Sequence, residues 1–139
     1  MAELGGTLGE VLLRPTRIYV ASVLHVLRNY KINALVHITG GGFFDNIPRV
    51  LPENCKAVIE KGSWPVPPVF SFLQEKGRVT EAEMYRAFNM GIGMMAAVSA
   101  VDAEAVMQQF QAMGEQAFLI GEIAAADPGE AQVLINGLA

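Results

Sequence analysis

The sequence predicts an α+β domain in which helices pack on the faces of a mixed β-sheet, and three observations carry the prediction. Apolar runs too short for helices, such as "INALVHI" and "AQVLI", interleave with stretches of helical periodicity. Glycine and proline punctuate the joins between them. At 139 residues, the chain is long enough for one domain with a real core and too short for two of ordinary size.

The opening "MAELGGTLGE" is Gly-rich and weakly patterned, so residues 1–11 read as a flexible start or the remnant of a longer chain that was cut, with the domain over 12–139. Pro15 and Thr16 then mark the entry to a helix within 18–30, where Val20, Val23, Leu24, Leu27 and Tyr30 recur at helical spacing. "INALVHI" follows as a buried strand and leads straight into Gly40, Gly41 and Gly42. "NIPRVL" predicts a short helix capped by Asp45, with Pro48 in the first turn, where a missing N–H costs nothing. "KAVIE" reads as a strand. Three prolines stiffen "GSWPVPPVF", and the helix that begins around Val69 to Leu73 is ended by Gly77.

Thr80 and Glu83 form a capping box that starts the next helix. The mostly apolar "GIGMMAAVSA" suits a central strand. Between Asp102 and Gly114, apolar Val106, Met107, Phe110 and Met113 oppose Glu104, Gln108 and Gln111, the pattern of an amphipathic helix. "AFLIGEIAAA" and "AQVLI" finish the chain as strands around the turn "DPGE".

Composition narrows the function. The net charge is -4 and the ten Lys and Arg are scattered, which argues against a nucleic-acid or anionic-membrane partner, so any anion site must be local. Cys55 stands alone, and the two histidines, His25 and His37, cannot assemble a zinc site without several carboxylates, so no metal centre is expected. The start lacks a basic stretch followed by an apolar core, and no window reaches the roughly eighteen apolar residues of a membrane span. A cytoplasmic, soluble protein is the expectation.

The candidate site is "HITGGGFFDNIPRV". Glycines take positive φ and let backbone N–H groups come close to an anion, and a helix start beyond them would add its own amides. A sharp structural turn explains the same residues, and no Lys-Ser or Lys-Thr follows as the Walker pattern requires. On the residues alone, His37 reads most simply as buried in the sheet, although a strand end beside a loop is where ligands sit and an imidazole there can carry a proton near neutral pH. Asp45 and Asn46 can cap a helix or orient a ligand, and Arg14, Arg17 and Arg49 can meet a phosphate or solvent. "GIGMMA" has the G-x-G-x-x-A form of dinucleotide loops but follows a helix instead of a strand, and it is rejected as such. Trp64 and the methionines read as packing.

Taken together, "LLRPTRIYV", "HITGGGFFDNIPRVLP", "GSWPVPPVF", "EMYRAFNMGIGMM" and "FLIGEI" resemble the carboxy-terminal domain of the aminoimidazole ribonucleotide synthetase family, the phosphoribosylformylglycinamidine cyclo-ligases. The resemblance runs from about Leu12 to the last strands and implies a three-layer α/β/α domain with a mixed sheet. It implies ATP-dependent closure of formylglycinamidine ribonucleotide to aminoimidazole ribonucleotide in de novo purine synthesis, by a cytoplasmic homodimer that uses ATP and Mg2+. It further implies His37 as the catalytic residue, with Thr39, Gly40, Gly41, Gly42, Asn46 and Arg49 binding substrate, and Thr16, Arg17 and Asn89 as weaker candidates in their own motifs. The family's amino-terminal domain, which supplies most of the ATP site and the dimer interface, has no counterpart here. ATP and Mg2+ are therefore not expected to be held by this domain alone, and its partners are the ribonucleotide substrate and its own amino-terminal domain. "FFDN" and "RAFN" depart from the family's usual residues without touching His37 or the glycines. The alternatives are a phosphate-binding module and a related ATP-dependent synthetase of the same superfamily, which shares the architecture but not the "HITGGG" to "PRVLP" stretch.

Overall fold

Two sheets organise the chain in a computed structural model that describes residues 4–138. In chain order the elements are α1 (Leu8–Leu12), α2 (Val20–Leu27), β1 (Ile32–His37), α3 (Gly42–Asn46), β2 (Cys55–Glu60), α4 (Pro68–Gly77), α5 (Glu81–Ala87), β3 (Met94–Val98), α6 (Ala103–Ala112), β4 (Gly121–Ala125) and β5 (Val133–Asn136). Helices and strands thus alternate as an α+β fold. The expectation of one sheet with β3 at its centre is corrected: β3 pairs antiparallel with β1 in a two-stranded sheet, and β2 separately pairs antiparallel with β4 and parallel with β5. The mixed character therefore belongs to the three-stranded sheet. Between β3 and β4 the chain from 113 to 120 runs without regular structure, and its Ala117, Leu119 and Ile120 meet Met95, Val106 and Phe110 around an apolar cavity of about 230 Å³.

The core gathers side chains from both sheets and from α3 and α5. At its centre Phe43 stacks on Trp64 with ring centroids 5.8 Å apart, and Tyr85 meets Phe43 edge-on at 5.4 Å. Trp64 is 4% exposed, so packing is its place, and its indole N–H donates to the Met90 carbonyl at 2.9 Å, which satisfies the one polar atom it buries. On another side of the fold α2 packs against α6, burying Val26 and Val106.

Local chemistry accounts for the helix starts. The Thr80 hydroxyl accepts from the Glu83 N–H at 3.3 Å and opens α5, but the reciprocal half of the expected capping box does not form, the Glu83 carboxylate instead lying 3.5 Å from Arg86 Nε. A full box opens α1 inside the stretch expected to be flexible: Thr7 accepts from the Glu10 N–H, and the Glu10 carboxylate accepts from the Thr7 N–H at 2.8 Å. Residues 1–3 of that stretch and Ala139 of the domain lie outside the described residues. The single helix expected over "NIPRVL" is instead α3 followed by a 3-10 turn over Ile47–Val50, with Pro48 in the turn's first residues. Burying the Phe43 ring in the core begins the helix four residues early, so Asp45 falls inside α3 and caps nothing.

Candidate functional site

Strand β1 delivers the site. His37 pairs with Met94 at the end of the ladder, and one further bond, from the Ile38 N–H to the Gly93 carbonyl at 2.9 Å, holds the chain extended before Thr39 and Gly40 leave the sheet. Val36 and Ile38 face the core and are buried, so the period of two turns His37 and Thr39 outward, and both are exposed. The reading of His37 as buried is thereby corrected. It lines a cleft of about 540 Å³ between the strand end, the 14–19 segment and the 87–93 loop.

Of the residues predicted for the site, the structure brings His37, Thr39 and Gly40 into this cleft, together with Thr16, Arg17 and Asn89. Arg14 joins them, and no carboxylate is among the described residues that line it. Gly41, Gly42, Asn46 and Arg49 do not line it. The three glycines divide by task. Gly41 and Gly42 have φ of 91° and 54°, and a Cβ on Gly42 would overlap the Tyr85 carbonyl oxygen of α5, so the turn and the helix packing require both. Gly40 has an ordinary φ, and a Cβ there would meet nothing within 4 Å. Its lack of a side chain serves neither turn nor packing.

Asn46 works from behind the loop. The side chain is 4% exposed, and its amide donates to the carbonyls of Gly42 at 2.8 Å, Gly40 at 3.2 Å and Thr39 at 3.3 Å. These bonds turn the loop's acceptors inward, away from any anion. Arg49 sits exposed on the 3-10 turn.

Opposite His37 stands Tyr19, a wall residue absent from the candidates above, just before the first turn of α2. Its ring meets the imidazole edge-on, with centroids 6.1 Å apart and planes at 71°. The Tyr19 hydroxyl lies over Gly93, where any Cβ would collide with it. Burial raises the Tyr19 pKa, and the Glu115 charge raises it further against the opposing pull of Arg17, so the phenol stays protonated at neutral pH. Across the cleft the Asn89 side chain accepts from the Gly91 N–H at 3.0 Å and fixes the 89–91 turn.

Two guanidinium groups, an imidazole and a glycine backbone around an acid-free cavity suit an anionic ligand. They do not suit a magnesium ion, which takes oxygen ligands, and no three His, Cys, Asp or Glu converge on a common point among the described residues. No described helix is long and apolar enough to cross a membrane.

The family described as AIR synthase related protein, C-terminal domain, matches residues 2–134. Among curated relatives, the phosphoribosylformylglycinamidine cyclo-ligase of Desulfotalea psychrophila is 58% identical over 121 residues, which cover 87% of this chain and 34% of that protein. The protein of the same name from Brevibacillus brevis is 57% identical over 135 residues, 97% of this chain and 38% of its own length. That of Syntrophotalea carbinolica is 48% identical over 134 residues, again 38% of its length. The chain therefore spans little more than a third of the relatives it matches.

Proposed function

The chain belongs to the AIR synthase related family, as its C-terminal domain, and from that premise we propose that it is the carboxy-terminal part of a phosphoribosylformylglycinamidine cyclo-ligase. The reaction is ATP-dependent closure of formylglycinamidine ribonucleotide to aminoimidazole ribonucleotide in de novo purine synthesis. Support for a role in that chemistry comes from one observation: His37, Thr39 and Gly40 share an acid-free cleft with Arg14 and Arg17. A ribonucleotide brings a phosphate monoester and an amide oxygen, and such a cleft offers chiefly the Arg14 guanidinium to the first and an imidazole to the second.

In this reading the formyl oxygen attacks the γ-phosphorus of ATP and ADP leaves. The amidine nitrogen then attacks the activated carbon, and the ring closes with loss of phosphate and a proton. His37 serves as donor to the formyl oxygen or carrier of that proton, a task typically worth about 100- to 10,000-fold in rate. Gly40 lets the loop backbone approach the substrate. ATP and its magnesium are held by the rest of the enzyme, since the side chains here do not fit the ion. The same reading takes the helices and sheets as a three-layer α/β/α domain within a cytoplasmic homodimer.

His37→Ala in the complete enzyme tests the assignment. Cyclisation should fall at least about 100-fold while phosphate binding to the folded protein persists, because the imidazole is exposed and lies outside the core. Unchanged turnover would leave the domain a phosphate-binding module. Separately, the 139 residues alone should show no ATP-dependent cyclisation; turnover by them would overturn the division of labour.

A further inference from the structure

Glu115 lies outside the cleft, yet two of its own interactions and one of the neighbouring Gly114 tie it to the segment that forms the cleft's wall. Its carboxylate, 12% exposed, pairs with the Arg17 Nε at 2.5 Å and accepts from the buried Ser22 hydroxyl at 2.7 Å. The neighbouring Gly114 carbonyl accepts from Arg17 Nη2 at 2.8 Å. Two of the guanidinium's three nitrogens are thus directed at residues 114 and 115, away from the cavity. Ser22 Oγ also lies 3.0 Å from the Tyr19 carbonyl, so the carboxylate is linked to both sides of Tyr19, through Arg17 before it and Ser22 after it. With 93 residues between Ser22 and Glu115 and 97 between Arg17 and Gly114, this anchor ties the 14–19 segment across the fold to the stretch that follows α6.

We propose that Glu115 is a positioning residue for the cleft: by clamping Arg17 and Ser22 it seats Tyr19 over Gly93 with the ring edge against His37, and so fixes the imidazole's wall and the cavity's width. Arg17 then acts mainly as a strut, and the inference rests on the cleft being the anion site proposed above. The pair suits this task because Glu115 is largely enclosed while Arg17 is 55% exposed, so losing the Glu115 charge leaves the guanidinium free to turn to solvent and the segment free to move. Only a glycine at 93 leaves room for the seat, which ties the 87–93 loop to the same arrangement.

Glu115→Gln keeps the shape of the side chain and removes its charge. Inorganic phosphate is titrated into the 139-residue chain while the ring protons of both histidines are followed by NMR; His25, on α2 three residues beyond Ser22 and against Gln109 of α6, reports on the helix that the anchor also holds. The expected result is a larger shift of the His37 ring signals than of the His25 signals, and phosphate binding weaker by about tenfold to a hundredfold, the scale of one hydrogen bond to a charged group. Ser22→Ala should move His37 in the same direction by less. Arg17→Gln combined with Glu115→Gln should lose no more than either alone, since the two act as one unit. Unchanged His37 signals and unchanged phosphate binding in Glu115→Gln would overturn the role, whatever happens to thermal stability. Binding lost in Arg17→Gln but kept in Glu115→Gln would overturn it too, because Arg17 would then touch the anion itself. Failure of the unaltered chain to bind phosphate would bring down the anion reading of the cleft and this role with it.

Discussion

The division of labour among the three glycines makes a test that separates a ligand loop from a turn. Alanine at Gly42 must hold a φ of 54° and set its methyl against the Tyr85 carbonyl oxygen, with the Arg86 carbonyl carbon only 2.9 Å away. The left-handed conformation costs roughly 1–2 kcal/mol for an L-residue, and forcing a methyl into filled space costs about 1–3 kcal/mol more. Both contacts are backbone and cannot swing aside, so Gly42→Ala should lose about 2–5 kcal/mol, a large share of an ordinary domain's roughly 5–15 kcal/mol. Gly40→Ala meets neither obstacle. Restricting the unfolded chain should leave it unchanged in stability or better by about 0.4–1 kcal/mol, while its methyl stands where the loop backbone would approach a ligand. Urea denaturation followed by Trp64 fluorescence gives the stabilities, and phosphate titration gives the binding. The pattern expected is opposite: Gly42→Ala unstable, Gly40→Ala stable but several-fold weaker in binding. If Gly40→Ala is as unstable as Gly42→Ala, or binds phosphate as well as the unaltered chain does, the glycines make a turn and nothing more.

Asn46→Ala removes the side-chain amide that satisfies the loop's inward carbonyls, and leaving such groups unpaired should cost about 1–3 kcal/mol in urea denaturation. A loss no larger than that of an exposed substitution would show that water replaces the amide without penalty. Glu130 supplies a pH dependence: its pKa is held below the ordinary 4.5, first by the hydrogen bond from Lys56 and then by the Asp127 N–H. A depressed carboxylate pKa stabilises the fold above its unfolded value and loses that contribution as the pH falls through the folded value. The stability gap between the unaltered chain and Lys56→Gln should therefore close as the pH drops below about 4.5, and a gap that widens on acidification would refute the pairing.

Helix and strand positions were largely legible because each rests on a local signal. The Thr80 cap, the opposed faces of 103–112 and the apolar run of β1 needed no tertiary knowledge. The same grammar stands at Thr7 and Glu10, but the glycines around it dilute the apolar face, and a cap without a periodic face to follow it points to no helix. Strand partners were less legible, since the apolar pattern that marks a strand does not choose its neighbour. The 113–120 stretch is apolar enough to pair with β3 yet encloses a cavity beside it. At the site, proximity in sequence could not separate Gly40 from Gly42, or Asn46 from His37, because what separates them is a collision with α5 in one case and burial in the other. For His37 the signal was nevertheless present. In "VHIT" the aliphatics Val36 and Ile38 alternate with a polar residue at 37 and another at 39, and a strand with one wet face must turn both of those outward together. An apolar run reads as buried on both faces only if its polar members are ignored, and here the two of them face the cleft.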